Sequence, residues 1–85
     1  MPWNLAITKP AARDLKAIRA EDLQRIDAAF EAMRNDPFGG DVKFLRGMGG
    51  TLRRRVGTWR ILFEVHQKQR EVVVLGVRRR TSTTY

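Results

Sequence analysis

The chain has 85 residues, a formal net charge of +8 at neutral pH and a hydrophobic content of 42%, which predicts a single folded domain over residues 1–85 with one modest core. It contains no cysteine and a single histidine, His66. A disulfide framework, a thiolate metal site and a cluster of histidine ligands are therefore excluded, and we expect neither a metal nor a cofactor. The first residues lack the pattern of a signal peptide, and no apolar run approaches the roughly 20 residues of a membrane span. We expect a soluble, cytoplasmic protein without a membrane partner.

The first half of the sequence predicts a short strand followed by two helices. Apolar and small residues alternate over residues 3–7 and indicate the strand. Thr8 suits the N-cap of a helix, and Pro10 suits its first turn, where the missing N–H has no cost. The second helix starts near Glu21 and Asp22, because acidic side chains stabilise the positive end of the helix dipole. Its apolar stripe is Leu23, Ile26, Phe30 and Met33, and the short connection predicts an antiparallel helical hairpin.

In the second half the apolar period changes to two, which predicts strands. We expect strands at about residues 42–45, 51–56, 59–66 and 71–78. Residues 61, 63 and 65 would share one face of the third of these strands, with Arg60 on the other. The predicted fold is α+β: an N-terminal strand and an antiparallel helical hairpin packed on one face of a mainly antiparallel, four-stranded twisted sheet.

Positive charge is concentrated in this second half. Residues 1–42 carry a net charge of −1, whereas residues 43–85 carry a net charge of +9. An asymmetry of this size indicates a polyanion or an acidic protein as the partner.

Several arginines are predicted to meet on the sheet face that the helices leave open. Arg53 and Arg55 are two apart on one strand, Arg60 follows the next turn, and Arg78-Arg79-Arg80 ends the last strand. A guanidinium fork binds two phosphate oxygens at once, so this pattern suits a phosphodiester backbone. An RNA phosphodiester can be cleaved by its own 2′-hydroxyl without a metal, provided that a base, an acid and cations for the pentacovalent phosphate are present. Arginine suits the last role and is a poor base, because its pKa lies above about 12.

Three segments resemble a known family: Leu45-Arg46-Gly47-Met48, the hairpin from Arg53 to Val65, and the ending Val77-Arg78-Arg79-Arg80-x-x-x-x-Tyr85. Together with the order of elements, they resemble the RelE/ParE superfamily of bacterial toxins over nearly the whole chain. The resemblance implies a type II toxin that is neutralised by a cognate antitoxin in a hetero-oligomer. The RelE branch cuts messenger RNA in the ribosomal A site, whereas the ParE branch poisons DNA gyrase and lacks the nuclease residues.

The resemblance also implies roles for individual residues. Arg60 matches the phosphate-binding arginine of the hairpin, and Arg53 and Arg55 match basic residues that act on the 2′-hydroxyl and the transition state. Arg79 matches a C-terminal basic residue that stabilises charge or serves the leaving group, and Tyr85 matches a terminal tyrosine that stacks on or orients the nucleotide. ParE-type toxins generally lack this combination, which favours RNA cleavage. Further RNA-binding contacts are expected from Arg46, Arg78 and Arg80.

The general base stays open at this stage. Lys43 would qualify if it were buried beside the arginines. Glu64 shares a predicted strand face with Arg60, where the role of a salt-bridge partner is favoured over that of a base. A third alternative is catalysis by positioning, helped by the ribosome. Arg54 occupies a position where the family commonly has an apolar core residue, so we expect a frayed strand or a side chain that extends to an edge.

The leading hypothesis is thus a metal-independent, ribosome-dependent endoribonuclease. The alternatives are a ParE-like gyrase inhibitor without nuclease activity and an inactive basic module that binds RNA or a partner.

Overall fold

The computed structural model describes residues 2–47 and 49–79, so Arg80 and Tyr85 lie outside the described residues. The elements are β1 (Asn4–Ile7), α1 (Lys9–Lys16), α2 (Ala20–Asn35), β2 (Val42–Phe44), β3 (Leu52–Val56), β4 (Trp59–His66) and β5 (Glu71–Arg79). The predicted order of elements is confirmed. Within the described residues, no helix is both long and apolar enough to cross a membrane.

All five strands form one sheet, in the order β1-β5-β4-β3-β2. Neighbours from β2 to β5 are antiparallel, whereas β1 lies parallel to β5 at the edge. The α+β fold with a mainly antiparallel sheet is therefore confirmed, and the N-terminal strand joins the sheet as its fifth strand. Parallel neighbours need a long crossover connection, which the helices and the intervening strands supply between β1 and β5.

The start of α1 is tied to the sheet by Thr8. Its hydroxyl oxygen accepts a hydrogen bond from Ala11 N at 3.4 Å, which caps the helix, and the hydroxyl donates to the carbonyl oxygen of Val74 at 2.8 Å. Pro10 lies in the first turn, as predicted. The helix ends at Lys16.

The core lies between the helices and one face of the sheet, which we call the helix face. Of the predicted stripe on α2, Ile26, Phe30 and Met33 are buried, and Leu23 packs against them from the edge. The sheet contributes buried apolar side chains from β3, β4 and β5: Leu52, Ile61, Phe63, Val72, Val74 and Val77. Burial of such a side chain stabilises the fold by roughly 1.5–3 kcal/mol. The opposite side of the sheet, which we call the open face, carries Arg53 and Arg55 of β3 and Arg60 and Glu64 of β4.

One irregularity in β5 decides which side chains reach the open face. Leu62 pairs with Gly76, but Phe63 pairs with Val74, so Leu75 has no counterpart in β4. An extra residue of this kind is a β-bulge, and it reverses the face on which all later residues of the strand lie.

The burial of the neighbouring residues shows this reversal. Val72 and Val74 are buried in the core before the bulge, and Val77 is buried there after it. The residues that follow therefore alternate from Val77, which places Arg78 on the open face and Arg79 on the helix face.

Candidate functional site

Three arginines from three adjacent strands lie side by side on the open face. Arg55 of β3 is directly opposite Arg60 of β4, and Arg60 is directly opposite Arg78 of β5. Directly opposite residues have Cβ atoms about 4.5–5.5 Å apart, so the three side chains start within about 10 Å of one another. We call these residues the arginine row. Arg55 and Arg78 are exposed and Arg60 is half-buried, so solvent reaches the row from the open face.

The three positive charges of the row repel one another. Like charges directly opposite each other on neighbouring strands are destabilising, by roughly 0.2–1 kcal/mol for a pair. A bound anion would offset this repulsion. A phosphate group suits the site in shape as well as in charge, since each planar fork can donate two parallel hydrogen bonds to its oxygens.

The hairpin that holds Arg55 and Arg60 has the tight turn that its sequence predicts. Gly57 occupies the first position of the two-residue loop with a φ of 59°, a backbone conformation that glycine adopts without strain. This turn sets the register of β3 against β4 and so places the two arginines directly opposite each other.

Arg53 shares the open face with Arg55, as predicted, but its guanidinium is engaged inside the protein. The residue is only 5% exposed. Its Nη1 donates to the main-chain oxygen and to Oδ1 of Asp41, both at 3.1 Å. The same main-chain oxygen of Asp41 accepts a hydrogen bond from the backbone N–H of Arg55 at 3.1 Å. Arg53 therefore supports the strand that carries Arg55, an arrangement that disfavours the expected contact of Arg53 with a 2′-hydroxyl.

The basic side chains around Asp41 change the pKa of its carboxyl group. Its hydrogen bond to Arg53 holds the pKa of the Asp41 carboxyl below its ordinary value, and the positive charges of Arg53, Arg55 and Lys43 act in the same direction, while partial desolvation opposes them. Asp41 thus remains an anion at neutral pH and balances part of the positive charge next to the row.

Arg79 does not join the other arginines, and the expectation that it converges with Arg53, Arg55 and Arg60 is wrong. It lies opposite Trp59 on the helix face, with the guanidinium carbon 4.7 Å from the centroid of the indole ring. The reason is the β-bulge, which moves Arg79 off the open face and Arg78 onto it. Arg78, expected from the sequence only as an RNA-binding residue, takes the position next to Arg60.

Arg54 lies on the helix face, between Val42 and Ile61 on the adjacent strands. Strand β3 continues through it without fraying. Its Nη1 donates to the carbonyl oxygen of Gly39 at 2.7 Å, so the charged group reaches the loop that follows α2. Of the two outcomes expected for this arginine, extension of the side chain to an edge is the one observed.

Of the two candidate bases, Glu64 shares the open face with Arg60 as expected, whereas Lys43 does not meet the condition under which it was considered. Lys43 lies opposite Arg53 but is exposed, not buried. Glu64 has its Oε1 3.1 Å from Nε2 of His66, and it is four residues, or about 13 Å along the strand, from Arg60.

Arg46 lies in the exposed loop between β2 and β3. Within residues 2–47 and 49–79, acidic, histidine and cysteine side chains do not form a group of three that could hold a metal ion.

Sequence reasoning missed two acidic residues that organise the site, Asp14 and Asp41. Asp14, on α1, accepts a hydrogen bond from Val77 N at 2.9 Å through Oδ2, across 63 positions of sequence. The same oxygen is 3.5 Å from Nε of Arg78. No pattern in the sequence relates residues this far apart. Asp41 could have been identified from the sequence, because it immediately precedes β2, the strand that pairs with the arginine-bearing strand β3.

The chain matches a known family and several individual proteins. Residues 5–83 match the family described as ParE toxin of type II toxin-antitoxin system, parDE. Toxin RelG of Mycobacterium tuberculosis is 30% identical over 78 residues, which cover 91% of this chain and 90% of RelG. A putative toxin RelE1 of Methanocaldococcus jannaschii is 26% identical over 83 residues, which cover 94% of this chain and 92% of that protein.

Solved structures show the same fold. A chain of the toxin-antitoxin complex RelBE2 from Mycobacterium tuberculosis superposes with a TM-score of 0.83 at 29% identity, covering 94% of this chain and 100% of that one. A chain of the archaeal RelE-RelB complex from Pyrococcus horikoshii OT3 superposes with a TM-score of 0.84 at 22% identity, covering 98% of this chain and 100% of that one. The second similarity is one of fold.

Proposed function

Because this chain belongs to the RelE/ParE superfamily and is the toxin of a type II toxin–antitoxin system, we propose that it is a metal-independent endoribonuclease that cleaves messenger RNA on the ribosome. The arginine row is the observation that supports this proposal. Its three guanidinium groups, Arg55, Arg60 and Arg78, come from adjacent strands and face the same side.

In the proposed reaction the 2′-oxygen of the RNA attacks the adjacent phosphorus and the bond from phosphorus to the 5′-oxygen breaks. The proton of the 2′-hydroxyl passes to solvent and the leaving 5′-oxygen takes up a proton from solvent, so the products are a 2′,3′-cyclic phosphate and a free 5′-hydroxyl. Negative charge grows on the phosphate oxygens in the pentacovalent transition state, and fixed cations directed at that charge lower the barrier by about 2.7–4 kcal/mol each in favourable sites. Arg60, at the centre of the row and half-buried, is best placed for this role.

Alignment of the substrate supplies the rest of the catalysis in this proposal. An RNA strand held so that the 2′-oxygen, the phosphorus and the leaving oxygen lie in line reacts much faster than a mobile one. The ribosome would hold the messenger in that geometry, so a general base of the kind expected at Lys43 or Glu64 is not required. The protein would act in the cytoplasm, where the ribosome is found.

The partner implied by the family is a cognate antitoxin. Solved relatives include toxin–antitoxin complexes, and an antitoxin segment with acidic side chains would neutralise the arginine row by covering it. The net charge of +9 on residues 43–85 favours both the ribosome and an acidic partner.

Substitution of Arg60 tests the proposal. Purified Arg60→Ala protein should lose cleavage of ribosome-bound messenger RNA by about 100-fold or more, and its induction should no longer arrest growth. Arg19→Ala is the matched control, because Arg19 is exposed and makes no side-chain cap on α2. Circular dichroism would verify that both variants are folded. Full cleavage by Arg60→Ala would overturn the proposal.

The family match to ParE toxins favours a second candidate function, inhibition of DNA gyrase without nuclease activity. This candidate predicts DNA-damage signalling in expressing cells while messenger RNA stays intact. Mapping of messenger 5′ ends after induction separates the two functions, because new 5′ ends appear only if the toxin cuts RNA.

A further inference from the structure

The carboxylate of Asp14 occupies a distinctive place at the edge of the sheet. Strand β1 pairs with β5 only as far as Ile7 and Val74, so beyond that point, among the described residues, β5 has no strand neighbour on the β1 side. There Oδ2 of Asp14 accepts the hydrogen bond of Val77 N at 2.9 Å. The Asp14 side chain is 27% exposed. Its largely buried carboxylate thus provides a hydrogen-bond acceptor for the edge of β5 where β1 ends.

The same oxygen approaches the end of the arginine row. Oδ2 of Asp14 lies 3.5 Å from Nε of Arg78. Gly76 makes this approach possible: a Cβ at that position would lie 3.2 Å from Oδ2 of Asp14 and 3.6 Å from Nε of Arg78. The glycine in the middle of β5 thus leaves the space in which the carboxylate of Asp14 and the guanidinium of Arg78 approach each other.

We propose that Asp14 is a positioning residue that fixes the guanidinium of Arg78 at one end of the arginine row. The inference rests on the proposed endoribonuclease function. A carboxylate at Nε leaves both Nη groups of the guanidinium available, and these present the fork that binds two phosphate oxygens. The Arg78 side chain is 66% exposed, and without this contact it would sample many rotamers.

Because Asp14 is negatively charged, its effect on catalysis can be distinguished by experiment from an effect on RNA binding. A negative charge beside the row weakens the attraction of the site for RNA, since the affinity depends on the cations that neutralise phosphates. Asp14 therefore orients one cation and lowers the overall positive potential at the same time. Its removal should harm the chemical step while leaving binding equal or stronger.

The variant Asp14→Asn tests this separation, because the amide oxygen can still accept the hydrogen bond of Val77 N–H while the charge is gone. With ribosome-bound messenger RNA as substrate, kcat should fall by about tenfold or more with KM unchanged or lower. Asp27→Asn on α2 is the matched control and should change neither constant. An unchanged kcat in Asp14→Asn would overturn the proposal.

A double-mutant cycle shows whether Asp14 acts through Arg78. In the Arg78→Ala background, Asp14→Asn should change kcat by less than about twofold, because the group that it orients is absent. An equal loss of kcat in both backgrounds would mean that Asp14 supports the fold alone, and would overturn the proposal.

A measurement without RNA keeps the test independent of the proposed function. The Nε–H of Arg78 should give an NMR cross-peak that is protected from solvent exchange in the unmodified protein and loses that protection in Asp14→Asn. If the unmodified toxin cleaves no RNA but this difference is observed, the positioning contact stands and the endoribonuclease function fails. Equal, rapid exchange in both proteins would overturn the positioning role.

Discussion

Replacing either of two adjacent arginines by alanine, Arg78 or Arg79, should have opposite consequences. Arg78 belongs to the arginine row beside Arg60, whereas Arg79 lies over the ring of Trp59 on the other face of the sheet. We expect Arg78→Ala to reduce messenger cleavage strongly with little change in stability. We expect Arg79→Ala to retain cleavage and lose stability.

The magnitudes follow from the two environments. Loss of one fixed cation aimed at the transition state reduces kcat by about 100-fold in a well-ordered site. Loss of one phosphate contact also makes the salt dependence of binding to single-stranded RNA shallower by about 0.7 in the logarithmic slope. The cation–π contact of Arg79 at 4.7 Å contributes about 0.5–1 kcal/mol at an exposed site. A loss of that size lowers the melting temperature of a domain of this length by about 2–8 °C.

The assay combines cleavage of ribosome-bound messenger RNA, RNA binding at several salt concentrations and thermal unfolding, for both variants and the unmodified protein. Arg78 and Arg79 carry the same charge one position apart, so each variant is the control for the other. If Arg79→Ala lost as much cleavage as Arg78→Ala, the assignment of the two residues to opposite faces would be refuted.

Two further predictions concern the supports of the site. The pKa of Asp41 is lowered from 3.8. The contribution of its carboxylate to stability is therefore complete above that pH and disappears as the pH falls through the lowered pKa. Melting curves of Asp41→Asn and the unmodified protein should differ at neutral pH and converge in the acid range below about pH 4. A constant difference down to the most acid pH would contradict this. Thr8→Ala removes the cap of α1 and the bond to Val74, and urea unfolding should show a loss of about 1 kcal/mol; an unchanged urea midpoint would contradict it.

The uneven charge also bears on how the toxin is controlled. The arginine row, Lys43 and Arg46 lie in the half of the chain with a net charge of +9, whereas the helices lie in the half with a net charge of −1. Under the proposed function, an acidic antitoxin segment would need to cover only the open face of the sheet to neutralise the row. Under the proposed function, the same asymmetry would orient the toxin toward RNA as it approaches the ribosome.

Local patterns in the sequence were enough to predict the elements and several of the side-chain placements. The period of two placed Arg53 and Arg55 on a common face, and the glycine at position 57 indicated the tight turn that brings Arg60 opposite Arg55. The helical stripe on α2 indicated the core. These features depend on neighbours within a few residues, whose spacing is visible in the chain itself.

Only the tertiary structure determines which of the arginines lie side by side on the open face. The bulge at Leu75 reverses the faces of β5. It is flanked by the pairing of β5 with β4, by the hydrogen bond that Thr8 donates to the Val74 carbonyl and by the one that Asp14 accepts from Val77 N. Gly76 within an apolar strand was the one local sign of such a bulge. Likewise, the engagement of Arg53 by Asp41 and of Arg78 by Asp14 arises only when distant segments pack together. The sequence thus determines the face periodicity within each segment, whereas the register between segments, and with it the membership of the arginine row, is a property of the folded sheet.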